Sequence, residues 1–240
     1  MYKPNKDEKV AIQGLLELKS LERRNHVVMF NKFKTLIDDI ISNKINKNTW
    51  VLIDIDNTLL KTVEWGNRLH WTYTDRKVLN FMNLLKEMKI DHMGFTSRIT
   101  GNLTYEDKKC YIDNFGVNIP GKTFEEYSYL TLKEKGIEFP KTYKSRGSIE
   151  YEQLTLKKIE DRSLAINQEM LNKYGYRHPM FYKGILFTSN VEKINVLSEF
   201  IKNLKMPKKY KKIIIIDDDI TVLEPFLNIT NIHVECYYYS

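Results

Sequence analysis

Cysteine is scarce in this chain, and its scarcity excludes several kinds of site. Cys110 and Cys236 are the two cysteines among 240 residues, too few for a disulfide framework. Neither lies in a Cys-x5-Arg loop, which argues against a cysteine-dependent phosphatase. The five histidines show no metal-ligand spacing, so a histidine-based metal centre is not predicted either.

Long apolar stretches are also missing. The N-terminus is polar and has no apolar signal-peptide core, and no run elsewhere is long enough to cross a membrane. We therefore expect a soluble chain that is made in the cytoplasm. No internal repeat, low-complexity tract or linker is visible, and nothing in the pattern predicts an oligomeric state.

Basic residues outnumber acidic ones by 38 to 31, which gives a formal net charge of +7 and a pI near 9.1. This excess favours an acidic substrate, for example a phosphoprotein, a nucleotide or an inositol phosphate. No basic stripe alternates with aromatic residues as on a single-strand binding surface. A nucleic-acid partner is therefore not predicted.

The most informative segment joins an apolar run to two aspartates. Residues 51–53 read as a buried strand, Asp54 follows it, and Asp56 and Thr58 come at intervals of two. In open α/β sheets, ligands bind at the carboxyl ends of the strands. One carboxylate is then placed to attack a phosphorus or hold a metal while the other handles a proton. An acidic turn and a calcium loop are the alternatives, although a calcium loop needs more oxygen ligands nearby.

The D-x-D-x-T pattern resembles motif I of the haloacid dehalogenase (HAD) superfamily, whose members are mostly magnesium-dependent phosphatases. The resemblance implies three more motifs in order: a hydroxyl after a second strand, then a lysine, then acids after a final strand. Residues 93–98 fit the first of these, with Thr96 as the hydroxyl and Ser97 as its competitor. Arg98 is suited to clamp the same phosphoryl group through two hydrogen bonds.

The lysine and the last acids follow in the implied order. Residues 184–193 read as a strand, a polar turn and the start of a helix that carries Lys193, whereas Lys183 lies at the wrong end of that strand. Four isoleucines then precede the acidic run 217–219, in which Asp219 is also suited to cap a helix. A response-regulator receiver domain has its paired acids first and its lysine last, so this order favours the HAD assignment.

A narrower resemblance covers about residues 45–240. It is to a domain-of-unknown-function branch of HAD-like proteins, known largely from intracellular bacteria. Residues 99–127 and 140–179 are longer than in that branch, and the lysine motif lacks the glycine that often follows the lysine. These departures bear on the substrate and remove no catalytic group.

The resemblance implies an α/β fold: a Rossmann-like three-layer sandwich with a mainly parallel sheet, a flap hairpin and a small helical cap. We expect a helical extension at 1–47 packed on the core, a core at 48–99 and 180–240, and a helical insertion or cap at 100–179. Periodicity predicts a last strand at 232–239 and helices at 7–24, 29–44, 75–88, 123–135, 152–173, 192–204 and 221–227.

The flap is predicted around the turn Gly66-Asn67. Its tryptophans, Trp65 and Trp71, are suited to shield the site or stack on a substrate, or else to pack at the flap base. A short cap leaves an open site, which suits a bulky substrate such as a phosphoprotein.

The mechanism implied by the resemblance is two-step hydrolysis of a phosphate monoester through an aspartyl-phosphate. Its implied catalytic residues are Asp54 (nucleophile), Asp56 (general acid and base), Thr96 and Lys193 (phosphoryl stabilisation). Mg²⁺ is the implied cofactor, held by Asp54, Asp56 (through its backbone carbonyl) and Asp217, with Asp218 completing the metal site. The implied substrate contacts are Thr58, Ser97, Arg98, Trp65 and Trp71.

The expected function is thus a Mg²⁺-dependent phosphatase acting on a phosphoprotein, phosphotyrosine included, or on a small phosphoester. Another enzyme on the same fold is a second hypothesis; a dehalogenase, however, needs neither the second aspartate nor the metal. A non-catalytic or host-directed binding module is the third. Export to a host cell without an apolar signal sequence is left open.

Overall fold

The computed structural model describes residues 26–116, 121–140, 179–204, 210–230 and 232–240. The strands in these residues are β1 (His26–Phe30), β2 (Thr49–Ile53), β3 (Leu60–Trp65), β4 (Arg68–Tyr73), β5 (Asp91–Thr96), β6 (Met180–Tyr182), β7 (Ile185–Phe187), β8 (Lys212–Asp217) and β9 (His233–Tyr239). The α-helices are α1 (Lys34–Ile41), α2 (Val78–Glu87), α3 (Tyr105–Phe115), α4 (Phe124–Glu134), α5 (Lys193–Leu204) and α6 (Ile220–Leu223). A 3-10 helix at Glu224–Asn228 continues α6.

Seven strands of the described chain form one sheet in the order β1-β9-β8-β2-β5-β7-β6. Every neighbouring pair is parallel except β6–β7 at one edge, which is antiparallel. The central strands β2 and β8 are near-continuous apolar runs, as parallel strands covered on both faces require. The predicted α/β, Rossmann-like sandwich with a mainly parallel sheet is therefore confirmed.

Two hydrophobic clusters cover the two faces of this sheet. Successive side chains of a strand point to opposite faces. On β2, Val51 and Ile53 accordingly pack in one cluster, which also holds core residues of α1, α2 and α4. Trp50 and Leu52 pack in the other cluster, with core residues of α5 and α6. Helices thus lie on both sides of the sheet and make three layers.

The strand order places β2 where the chain switches direction across the sheet. After β2, the chain adds β5 and then β7 on one side of it, and β8 on the other side only later. In such sheets the crevice at the carboxyl ends of the strands, at the switch point, is where ligands bind. Because β8, β2, β5 and β7 are consecutive neighbours, the four segments that carry the predicted catalytic residues end side by side.

The predicted flap hairpin is present directly after the β2 motif. β3 and β4 pair antiparallel, with Trp65 opposite Arg68, and the Gly66 turn between them has a left-handed φ of 64°. A tight turn joins β2 to this hairpin: Asn57 has φ 57°, and the amide of Leu60 donates to the carbonyl of Ile55 over 2.9 Å. The flap therefore rises immediately beside the strand end that carries Asp54 and Asp56.

The prediction of a helix at 29–44 places the beginning of the helix wrongly. Residues 26–30 form the edge strand β1, which pairs in parallel with β9 and aligns Phe30 with Tyr239; helix α1 begins only at Lys34. The apolar residues of 29–44 fit a helical period, but Phe30 packs its ring against Phe33 and Tyr237 instead. Residues 26–30 therefore belong to the central sheet and not to a helical extension.

The other predicted elements fall close to their expected places. Helices α2, α4 and α5 and strand β9 match their predictions within three residues, whereas the helix expected at 221–227 is divided between α6 and the 3-10 helix. Helix α3 had no counterpart in the predictions. The helices expected at 7–24 and 152–173 lie outside the described residues. No helix in the described part of the chain has the length and apolarity that a membrane crossing requires.

The assignment of β1 to the sheet has a testable consequence. Phe30 is 5% exposed and Met29 beside it is 71% exposed, because the two side chains lie on opposite faces of the strand. We expect Phe30→Ala to lower the free energy of unfolding by about 3–5 kcal/mol. Met29→Ala should change it by about 0.5 kcal/mol or less. Urea unfolding followed by circular dichroism measures both, and equal losses would contradict the strand assignment.

Candidate functional site

A buried lysine joins two aspartates at the carboxyl edge of the sheet. The Lys193 ammonium lies 2.6 Å from Asp54 Oδ1 and 2.6 Å from Asp217 Oδ2. The three residues are 5%, 6% and 2% exposed, so water does little to screen their charges. Asp54 follows β2, Asp217 ends β8 and Lys193 begins α5. One interaction therefore ties together three separate elements of the fold.

Backbone hydrogen bonds hold each of these side chains in place. The amide of Asp54 donates to the carbonyl of Ile216 over 2.8 Å, which continues the β2–β8 pairing by one residue. The loop before Lys193 bends through left-handed φ values at Ser189 (52°) and Asn190 (65°). The amides of both residues donate to carbonyls of the loop that follows β5, over 3.2 Å each. This fixes the point at which α5 begins and so the direction of Lys193.

A third carboxylate, that of Asp218, completes the acidic group. Asp54, Asp217 and Asp218 each offer an oxygen, and these three oxygens lie within 4.8 Å of one another. The buried Thr58 hydroxyl donates to Asp218 Oδ1 over 3.4 Å, and the Asn57 side chain also donates to Asp218. The turn after β2 thereby orients the acid that directly follows the neighbouring strand β8.

The electrostatics of the group follow from its burial. Burial raises the pKa of Asp54 to about 7, and the Asp217 carboxylate adds to that rise while Lys193 opposes it. Burial also raises the pKa of Asp218, with Asp217 contributing next. Burial acts to lower the pKa of Lys193, but Asp54 and Asp217 outweigh it and the pKa is raised. Lys193 is therefore a persistent cation among acids that repel one another.

These residues fit a hard divalent cation. Three carboxyl groups face one ammonium, so when all three are ionised two negative charges have no partner inside the group, and a bound cation would offset them. All donors are carboxylate oxygens. Such ligands suit Mg²⁺, Ca²⁺ and Mn²⁺, whereas softer metals favour sulfur or imidazole ligands. Three acids are few for Ca²⁺, which takes six to eight oxygens, whereas Mg²⁺ keeps several waters. Asp54, Asp217 and Asp218 would hold the cation.

Asp56 has a different partner from the other acids. The Arg98 guanidinium binds it through two hydrogen bonds, Nε to Oδ2 at 2.8 Å and Nη2 to Oδ1 at 2.7 Å. The guanidinium also lies 5.0 Å from the centre of the Trp71 ring. Asp56 is half-buried at the mouth of the site and its side chain stands apart from the three-carboxylate group. Its backbone carbonyl, the expected metal ligand, belongs to the turn that leads into the flap.

The predicted hydroxyl lies at the end of β5. Thr96 is fully buried, and its Oγ1 accepts a hydrogen bond of 3.2 Å from the Arg98 amide, which leaves its own proton available. Ser97 is exposed beside it. A residue without an assigned role, Thr188 at the end of β7, donates its amide to the Thr96 carbonyl over 2.8 Å. Its buried hydroxyl has no hydrogen-bond partner in the described chain.

The two flap tryptophans differ in position. Trp71 contacts Arg98 and stacks on Phe115 of α3, with ring centres 5.8 Å apart and planes 10° apart. Trp65 lies at the flap tip, is 80% exposed and packs only beside His70 in the described contacts. The structure thus joins Asp54, Thr58, Lys193, Asp217 and Asp218 in one group and Asp56, Arg98 and Trp71 in another, and it leaves Trp65 at the tip of the flap.

Sequence reasoning missed the aromatic wall that adjoins Trp71. Tyr111 of α3, with Phe124 and Tyr127 of α4, lies beside Asp56 and Arg98. The signal that was available is the density of tyrosine and phenylalanine in the predicted insertion. This density does not distinguish a ligand-binding wall from ordinary packing, because the aromatic residues come together only when α3, α4 and the flap pack against one another.

Comparison with known proteins gives a family for the chain. No solved structure matches it significantly. The uncharacterized protein RP296 of Rickettsia prowazekii (strain Madrid E) is 25% identical over 220 residues, which cover 82% of this chain and 70% of that protein. The family described as "Protein of unknown function (DUF2608)" matches residues 30–236, and so most of the chain. The chain therefore belongs to the DUF2608 family.

Proposed function

We propose that this chain is a Mg²⁺-dependent phosphatase of the HAD type, which hydrolyses phosphate monoesters through an aspartyl-phosphate at Asp54. The observation that carries the proposal is the Lys193 ammonium held between Asp54 and Asp217, with Asp218 completing the acidic group. The order of the motifs along the chain, with the lysine before the paired acids, supports the same class.

In the first step, Asp54 attacks the phosphorus and the bond from phosphorus to the leaving oxygen breaks. Asp54, Asp217 and Asp218 would hold Mg²⁺, which when bound would supply positive charge to offset that of the phosphoryl group and of these carboxylates. Asp56, which enters this step protonated and released from Arg98, donates a proton to the leaving oxygen, which departs as an alcohol or phenol. The carboxyl group of Asp54 then carries the phosphoryl group.

In the second step, water attacks the phosphorus while Asp56 takes its proton, and inorganic phosphate leaves with Asp54 regenerated. Lys193 and the Thr96 hydroxyl stabilise the phosphoryl oxygens where negative charge accumulates. Arg98 binds the Asp56 carboxylate and holds it at the mouth of the site. We therefore propose two roles for Arg98: it positions Asp56, and it makes the predicted contact with the phosphoryl group.

The substrate class follows less directly from the site. A net charge of +7 favours an acidic partner, and a phosphoprotein or a small phosphoester both satisfy it. The candidate nucleophile is deeply buried and Asp56 is accessible at the mouth. This arrangement suits a phosphate that enters the site while the rest of the substrate stays at its mouth, near Asp56.

The nucleophile is the first residue to test. We expect Asp54→Asn to lower Mg²⁺-dependent hydrolysis of phenyl phosphate by about 10³-fold or more, because loss of a nucleophile disables both steps. Asparagine keeps the shape of the side chain, so the circular dichroism spectrum should not change. Asp38→Asn, which alters an exposed acid paired with Lys34, is the control and should retain activity. A folded Asp54→Asn protein with full activity would contradict the mechanism.

Metal binding has its own test. Asp217→Asn and Asp218→Asn should each weaken Mg²⁺ binding by about tenfold or more, since even groups that only hydrogen-bond to metal ligands affect affinity this much. Asp219→Asn is the matched control. Asp219 Oδ1 caps α6 by accepting from the Thr221 amide at 2.9 Å, and asparagine caps equally well. Isothermal titration calorimetry measures all three; equal affinities would argue against this metal site.

The buried lysine should also support the fold. Lys193→Met leaves two buried carboxylates without their shared cation, and we expect the free energy of unfolding to fall by about 3–5 kcal/mol. Lys44→Met is the control: Lys44 pairs with Asp39 at 2.8 Å but is exposed, so its loss should change little. Urea unfolding at neutral pH compares the two. Similar small losses would mean that the buried ion pairs do not hold the site together.

A further inference from the structure

A cavity of about 260 Å³ lies beside Asp56, at the mouth of the proposed active site. Its charged wall is the Asp56–Arg98 pair, in which each group already satisfies the other. The rest of its wall is largely aromatic. We call it the aromatic cavity, and the residues that define it are Asp56, Arg98, Trp71, Tyr111, Phe124 and Tyr127.

Contacts among the wall residues keep this cavity in shape. The rings of Tyr111 and Tyr127 lie 4.7 Å apart at 57°, and Trp71 Nε1 donates to the Tyr127 hydroxyl over 3.4 Å. Phe115 packs against two wall residues: its ring centre lies 5.8 Å from that of Trp71 and 5.6 Å from that of Tyr111. Tyr111 and Phe115 are half-buried, and their ring contacts join α3 to the flap and to α4. The wall is formed before any ligand binds.

The size and chemistry of the cavity limit what it can accept. A dry cavity of about 150 Å³ is large enough for benzene, so about 260 Å³ accommodates one substituted ring. Aromatic walls favour an aromatic guest, because rings gain from edge-to-face and offset-stacked contacts beyond the area they bury. An additional charged group is disfavoured, since the cation and the anion of the wall are already paired.

We propose that the aromatic cavity binds the leaving group of the substrate, and that this group is a single phenolic ring. The substrates are then aryl phosphate monoesters, which include a phosphotyrosine side chain and the phosphate ester of a free phenol. This inference rests on the proposed phosphatase function. When the bond from phosphorus to the phenolic oxygen breaks and the bond to Asp54 forms, that oxygen takes its proton from Asp56, which lines the cavity and enters this step as the neutral acid, with its ion pair to Arg98 opened.

Binding of phosphonates tests the inference without turnover. Benzylphosphonate and butylphosphonate carry the same charged group, and neither is hydrolysed, so leaving-group reactivity does not enter. With Mg²⁺ present, we expect calorimetry to show benzylphosphonate binding wild-type protein about tenfold more tightly, the order expected of aromatic contacts. Equal binding of the two would overturn the inference.

Variants of α3 assign the preference to the cavity. Tyr111→Leu keeps apolar bulk but removes a ring, and it should abolish most of the preference for benzylphosphonate. Tyr105→Ala is the matched control on the same helix, because Tyr105 is 78% exposed and lies outside the cavity; it should keep the preference. A preference that survives Tyr111→Leu would place the ring elsewhere and overturn the assignment.

Kinetics separate this inference from the proposed function and distinguish the two sources of the ring. In Tyr111→Leu, the KM for phenyl phosphate should rise about tenfold with little change in kcat, whereas the KM for butyl phosphate should not move.

A phosphotyrosine peptide with a lower KM than phenyl phosphate would identify a protein substrate, and the reverse would identify a free phenol ester. Turnover without any aryl preference overturns the inference alone; absence of turnover and of phosphonate binding overturns both proposals.

Discussion

The ammonium of Lys193, held 2.6 Å from both Asp54 and Asp217, is the contact on which the arrangement of the site depends. Two buried carboxylates at the ends of neighbouring strands repel each other, and a cation between them offsets that repulsion. The cation comes from a helix, α5, on one face of the sheet. The same contact therefore neutralises charge and joins β2, β8 and α5 at one point.

Topology explains why so many polar groups converge there. β8, β2, β5 and β7 lie side by side, with their carboxyl ends at one edge, and the chain switches direction around β2. Each of these strands is apolar in the residues just before its carboxyl end, and polar residues follow at that end. Reactive groups from positions as distant as Asp54 and Asp217 thus meet above a core that excludes water. The flap, α3 and α4 then add an aromatic wall on one side of this group.

Local sequence patterns predicted much of this arrangement, and their failures have physical causes. The β2, β5 and β8 segments contain apolar runs that end in polar residues. The carboxyl ends of these strands, and which polar side chains stand there, could therefore be predicted. β1 was not, because the apolar residues at 29–44 fit a helical period and only pairing with β9 favours a strand. The Asp56–Arg98 pair joins residues 42 positions apart, and the aromatic cavity needs three elements to pack together. Such contacts depend on tertiary structure, which local periodicity does not describe.

If Asp54 carries the phosphoryl group during turnover, its side chain becomes an acyl phosphate. Borohydride reduces an acyl phosphate to an alcohol and so converts a phosphorylated aspartate to homoserine. We would mix the protein with phenyl phosphate and Mg²⁺, quench with acid, treat with borohydride and sequence the peptides by mass spectrometry. We expect homoserine at position 54 and aspartate at positions 56, 217 and 218. Phosphate release with Asp54 unmodified, or homoserine at one of the other three positions, would contradict it.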